Sequence, residues 1–100
     1  MADHPAVLVL GTVTTSTDHL AELLEASLAH VHRSRLEPGC ISHHVTQDPE
    51  EPETLHFVER WRDRAALDEH FRLPGSAAFV EVAQRLSTAP PTIEVYDVAT

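Results

Sequence analysis

Hydrophobic and polar positions along the chain follow two different periods, and the switches between them mark out its elements. Pro5 to Thr14, PAVLVLGTVT, is dense in β-branched residues and too short for an amphipathic helix, so it predicts a strand. Gly11 inside it suggests a bulge or a close approach of another group. Ser16, Thr17 and Asp18 then offer N-caps, and Leu20, Leu23, Leu24, Leu28 and Val31 recur at three- and four-residue steps, predicting a helix of roughly five turns. Ser27 falls in the same stripe, where its hydroxyl is expected to bond back to a carbonyl one turn earlier. Asp18 and Glu22 at the start and Arg33 and Arg35 at the end suit the helix dipole, and Glu37-Pro38-Gly39 stops the helix.

Cys40 to Gln47, CISHHVTQ, is β-compatible, and Asp48 to Glu53, DPEEPE, is a polar turn. Thr54 to Arg62 alternates, with Leu55, Phe57, Glu59 and Trp61 on one face and His56, Val58, Arg60 and Arg62 on the other. The two runs predict a hairpin. Asp63 is the expected N-cap of a short helix carrying Ala66, Leu67, His70 and Phe71 on one side, with Arg64 and Asp68 as an i,i+4 pair. Pro74 and Gly75 interrupt it, and Ser76 opens a second segment with Phe79, Val80, Ala83 and Leu86 inward. Pro90 and Pro91 stop that segment, and Thr92 to Val98, TIEVYDV, alternates as a last strand. The order predicts an α+β, ferredoxin-like βαββαβ fold with helices on one face of an antiparallel sheet. With no linker, repeat or low-complexity tract, residues 1–100 read as a single domain.

Composition narrows the function classes. One hundred residues, 42% hydrophobic and 23% charged, build one modest core and exclude a Rossmann domain or a TIM barrel. Sixteen Asp and Glu against seven Arg and no Lys give a net charge of −9, which argues against nucleic acid and anionic membranes as partners. The lone Cys40 excludes an internal disulfide and a cysteine-based zinc site. The start, MADHPAVLVLG, has no basic n-region and too short an apolar run to span a bilayer, so a cytoplasmic location without leader or membrane anchor is expected.

Several residues carry chemistry by type and position. Trp61, with Phe57 on the same side, offers either a flat wall for an aromatic ligand or simple core packing. Glu59 between them sits on a face expected to be buried, which requires a partner or a raised pKa; pairing with an arginine or across a dimer is the favoured reading. Among eight histidines there is no HExxH, His30 and His32 diverge on a helix, and His43 and His44 point to opposite faces of a strand. His43 or His44 facing His56 supplies two ligands where three or four are needed, so no metal site is expected; whichever of the three faces a pocket is a secondary acid or base. Cys40 reads as an inert thiol.

EPGC at Glu37 to Cys40, FVERW at Phe57 to Trp61, DRAALDEHF at Asp63 to Phe71 and SAAF at Ser76 to Phe79 together resemble the antibiotic biosynthesis monooxygenase (ABM) family. The resemblance implies a dimeric α/β barrel, in which the sheets of two ferredoxin-like protomers face each other and each protomer has a pocket between sheet and helices. It also implies a cofactor-independent monooxygenase that oxidises a phenolic, quinol or polyketide-like aromatic substrate with O2. Within that reading His70 is the base or hydrogen-bond partner, Trp61, Phe57, Phe79 and Phe71 contact the substrate, and Tyr96 orients it; no cofactor and no metal are called for. The alternative is a non-oxygenase barrel that binds a small aromatic ligand as a carrier, sensor or cyclisation aid. The family's haem-degrading branch is not expected: the chain has no Asn, His70 takes that branch's Trp position, and no His lies between Val80 and Ala83. Apolar residues on both faces of VLVLG and IEVY agree with a homodimer.

Overall fold

The computed structural model describes residues 4–98. The first three residues, included in the leader reading, and the last two, included in the 1–100 domain, lie outside the described residues. Seven elements follow in order: β1 (Val7–Thr14), α1 (Thr17–Ser34), β2 (Cys40–Gln47), β3 (Thr54–Trp61), α2 (Arg64–Arg72), α3 (Pro74–Leu86) and β4 (Thr92–Asp97). The sheet runs β2-β3-β1-β4 with every neighbouring pair antiparallel, the ferredoxin-like α+β arrangement expected from the pattern. Register is unbroken through Gly11, which lies opposite Phe57 and Ile93, so of the bulge or close approach suggested for it the bulge is absent; the irregularity falls between Cys40 and Ser42. Among the described residues no helix is long and apolar enough to cross a membrane.

Strand alternation sorts the two sheet faces. Val7, Val9 and Val13 of β1 and Leu55, Phe57, Glu59 and Trp61 of β3 are buried on the helix-covered face. This face holds two apolar clusters: one built on Val13, Leu23, Val31, Leu55, Phe57 and Leu86, the other on Val7, Val9, Trp61 and Leu67. Along β3 they are separated by Glu59. The opposite face carries Leu8 between Arg60 and Tyr96, and Leu10 between Val58 and Glu94.

The helices depart from the simple stripes in ways that matter for the site. The buried side of α1 runs through Leu23, Ser27, His30, Val31 and Ser34, which leaves Leu28 exposed at its edge. Ser34 Oγ bonds the His30 carbonyl at 2.7 Å, whereas Ser27 Oγ makes no hydrogen bond, contrary to expectation. Asp63 caps α2 by accepting from the Ala66 N–H at 2.8 Å, and Arg64 pairs with Asp97 rather than Asp68. α3 starts at Pro74, before Ser76, because a proline at the first helical turn forfeits no helical hydrogen bond. Phe71 and Val80, expected inward, are exposed. Gly39 turns the chain from α1 into β2 at φ +85°, and a Cβ there would lie 2.5 Å from that of Ala66.

Candidate functional site

A cavity of about 210 Å3 opens between the helix-covered sheet face and the α2–α3 segment, lined among others by Gly11, His30, Phe57, Glu59, His70 and Phe79. Gly11 keeps its floor open: the missing side chain would point into this space, where a Cβ meets Phe57 and the Thr92 carbonyl at an ordinary 3.5 Å. Around the cavity, elements distant in sequence deliver a group of imidazoles and carboxylates between the two apolar clusters.

β3 contributes Glu59 and Trp61 by its period of two, and β2 contributes His43, which pairs across the strands with Glu59, while His44 pairs with Val58 on the other face. α1 contributes His30, α2 contributes His70, and Glu37 comes from the α1–β2 turn. The carboxylate of Glu37 receives His70 Nδ1 at 2.9 and 3.1 Å. A carboxylate is an acceptor only, so Nδ1 carries the hydrogen of this bond; in the neutral form of the ring that tautomer leaves the lone pair at Nε2, 4.0 Å from Glu59 Oε1. The same Glu59 oxygen accepts the Trp61 indole N–H at 2.9 Å and lies 3.4 Å from His43 Nε2, outside hydrogen-bond geometry. Both ring nitrogens of fully buried His43 are therefore without a hydrogen bond. His30 stacks on Phe79 with centroids 4.5 Å apart and planes within 5°. One nitrogen from each of His30, His43 and His70 lies within 4.8 Å of the others.

The electrostatics follow from this crowding. Burial, reinforced by His43 and His70, lowers the His30 pKa to about 3 and keeps that ring neutral. Burial is also the largest influence on Glu59 and raises its pKa, but His43, the Trp61 N–H and His70 together outweigh it, so the carboxyl stays below its ordinary value. Within the chain, histidines and an indole rather than the expected arginine surround Glu59. Burial, with Glu37 and Glu59 nearby, pushes the Cys40 thiol up to about 11, which suits an inert thiol.

Of the residues singled out from the sequence, His70, Phe57, Phe79 and Phe71 line the cavity. Two placements are corrected. Trp61 is fully buried behind the wall, its ring 4.7 Å from that of His70, because its N–H is directed to Glu59. Tyr96 lies on the opposite sheet face and donates its hydroxyl to Glu94 at 2.7 Å, because β4 turns Val95 inward instead. His44 and His56 also sit outside, beside Arg35 and Asp48 at 3.2 and 2.8 Å. The two-histidine grouping at the hairpin does not form; His30, His43 and His70 meet instead. His30 and Glu37 were missed as site residues. For His30 the signal was its place seven residues after Leu23 on the buried stripe of α1.

A cavity walled by aromatic rings, with one oriented imidazole and two carboxylates, can take up a small aromatic ligand and accept a proton from it. Comparison with known proteins agrees with the fold. The sequence profile described as antibiotic biosynthesis monooxygenase matches residues 6–82. An uncharacterised protein of the cyanobacterium Synechocystis is 39% identical over 98 residues, which cover 98% of this chain and 66% of that protein, so the chain spans about two thirds of this relative's length. A Deinococcus radiodurans protein that bears the same family's name superposes with a TM-score of 0.89 at 26% identity, covering 94% of this chain and 93% of that one. A Mycobacterium tuberculosis structure superposes with a TM-score of 0.87 at 26% identity, covering 94% and 95%. The chain belongs to the antibiotic biosynthesis monooxygenase family.

Proposed function

We propose that this chain is a monooxygenase that oxidises a single-ring, electron-rich phenol or quinol with O2. The observation that carries the reading is His70: its Nδ1 is held by Glu37, its Nε2 is left without a hydrogen bond partner, and its ring lines the aromatic cavity. His70 Nε2 takes the phenolic proton, and the carboxylates of Glu37 and Glu59 stabilise the imidazolium that results. The electron-rich anion then passes an electron to dioxygen, so the substrate itself is the reductant and no cofactor is required. For hydroquinone the balance is one O2 consumed, one oxygen atom added to the ring to give hydroxybenzoquinone, and the other released as water. Phe57 and Phe79 hold the ring against the imidazole.

Size supports a single ring. About 210 Å3 exceeds the roughly 150 Å3 of an apolar cavity that holds benzene and falls short of the roughly 300 Å3 at which drug-sized pockets begin. In the same reading a second copy covers Leu8, Leu10 and Val58 on the face opposite the helices, giving the homodimer.

The test is oxygen uptake with a panel of monocyclic hydroquinones and phenols. Wild type is expected to consume one O2 per quinol, and His70→Ala to lose about 10²–10⁴-fold in rate. Equal, background-level uptake by both proteins on the whole panel overturns the oxygenase. Thermal stabilisation by the same compounds without oxygen consumption moves the assignment to a ligand-binding barrel.

A further inference from the structure

The three buried histidines present a second chemistry that proton transfer does not use. His30, His43 and His70 come from α1, β2 and α2, yet each brings a ring nitrogen within 4.8 Å of the other two. We propose that they form a binding site for a divalent transition metal of the zinc type.

Five features of the geometry carry this. Metal–nitrogen bonds of about 2.1 Å set tetrahedral ligands about 3.4 Å apart, so a bound ion draws the three nitrogens inward by side-chain adjustments on the order of 1 Å. His43 is fully buried with neither ring nitrogen hydrogen-bonded, an unusual state for an imidazole, and metal ligation satisfies one of them. His70 is already arranged as an outer-sphere-supported ligand: the Glu37 carboxylate takes Nδ1–H at 2.9 Å, which fixes the tautomer that offers Nε2. Glu59 Oε1 stands 3.4 Å from His43 Nε2 and 4.0 Å from His70 Nε2, so this buried carboxylate, with half-buried Glu37 behind His70, offsets the charge of a dication at this point. His30 and His70 also line the cavity, which leaves a coordination position for water or a ligand oxygen. Three imidazoles and an open position suit zinc, cobalt, nickel or copper better than magnesium or calcium, which take oxygen ligands.

A metal on His70 Nε2 removes that nitrogen from proton transfer, so the site stands apart from the oxygenase reading and is tested without substrate or oxygen. Chelator-treated protein is titrated with cobalt(II) and followed by visible absorption and by equilibrium dialysis. The expected result is one ion per chain with the intense visible bands of a tetrahedral nitrogen-ligated site, lost in His43→Phe and in His30→Phe. Glu37→Gln keeps the bands with affinity lowered about 10–100-fold, and His44→Ala, on the opposite sheet face, binds as wild type. Circular dichroism establishes that each variant is folded; should His43→Phe not fold, His30→Phe and Glu37→Gln decide. Absence of tetrahedral bands in folded wild type, or binding that survives both histidine substitutions, overturns the site. Neither result depends on whether the protein consumes oxygen.

Discussion

The two apolar clusters on the helix-covered sheet face and the polar belt between them are built on opposite terms. In the clusters, Val13, Leu23 and Leu55, or Val7, Trp61 and Leu67, gain stability from contacts that any well-shaped hydrocarbon supplies. In the belt, Glu59, His43 and His70 are removed from water and recover only part of the hydration they lose; His43 recovers no hydrogen bond at all. A small domain whose core is limited by its length gains little from such a belt. Its presence in the middle of the core, beside the cavity, is therefore better explained by chemistry than by stability.

Three substitutions sharpen or break this contrast. Leu55→Ala, in the larger cluster, is expected to cost about 2–5 kcal/mol in denaturant unfolding, the largest effect; a loss under about 1 kcal/mol would show that this cluster is not what holds the fold. Trp61→Phe keeps an aromatic ring in the second cluster but withdraws the N–H that Glu59 accepts at 2.9 Å. Its expected cost is about 1–3 kcal/mol, that of an unpaired buried acceptor, and a neutral result would mean the indole bond gives the belt no support. The smallest effect belongs to the exposed hairpin turn. Hydrogen bonds from His56 and from the Glu51 and Glu50 amides lower the Asp48 pKa from 3.8 to about 2. A depressed carboxyl stabilises the fold above its unfolded pKa and loses that contribution as pH falls through the folded value. Melting temperature followed from pH 3.8 down to about 2 should accordingly fall less steeply in Asp48→Asn; parallel curves would remove the turn from the acid response.

Elements whose signal is local were legible in the sequence. The β-compatible run of β2 and the alternation of β3, with the Asp48–Glu53 turn between them, gave the hairpin, and that alternation put Glu59 and Trp61 on one face. Helix stripes were read less well at their edges, because the apolar pattern of a helix leaves its boundary residues undecided; Leu28, Phe71 and Val80 are such residues. Tyr96 illustrates a neglected parity: it shares a face with Glu94, opposite Val95, and the alternation of TIEVYDV already contained that separation. The site is the least legible part. His70 came from family resemblance, and strand parity separated His43 from His44 without saying which turns inward. That choice is made by pairing with β3, and the meeting of His43 with His30 and with the Glu37–His70 pair is a product of tertiary packing that no local spacing encodes.

Both proposals rest on Glu37 orienting His70 so that its Nε2 is available beside the cavity, whether to a proton or to a metal. NMR of the imidazole nitrogens in isotope-labelled, metal-free protein at mildly alkaline pH tests it directly. His70 is expected to carry its hydrogen on Nδ1 with Nε2 bare, and Glu37→Gln to weaken this preference. A His70 ring protonated at Nε2 in the wild type would contradict it.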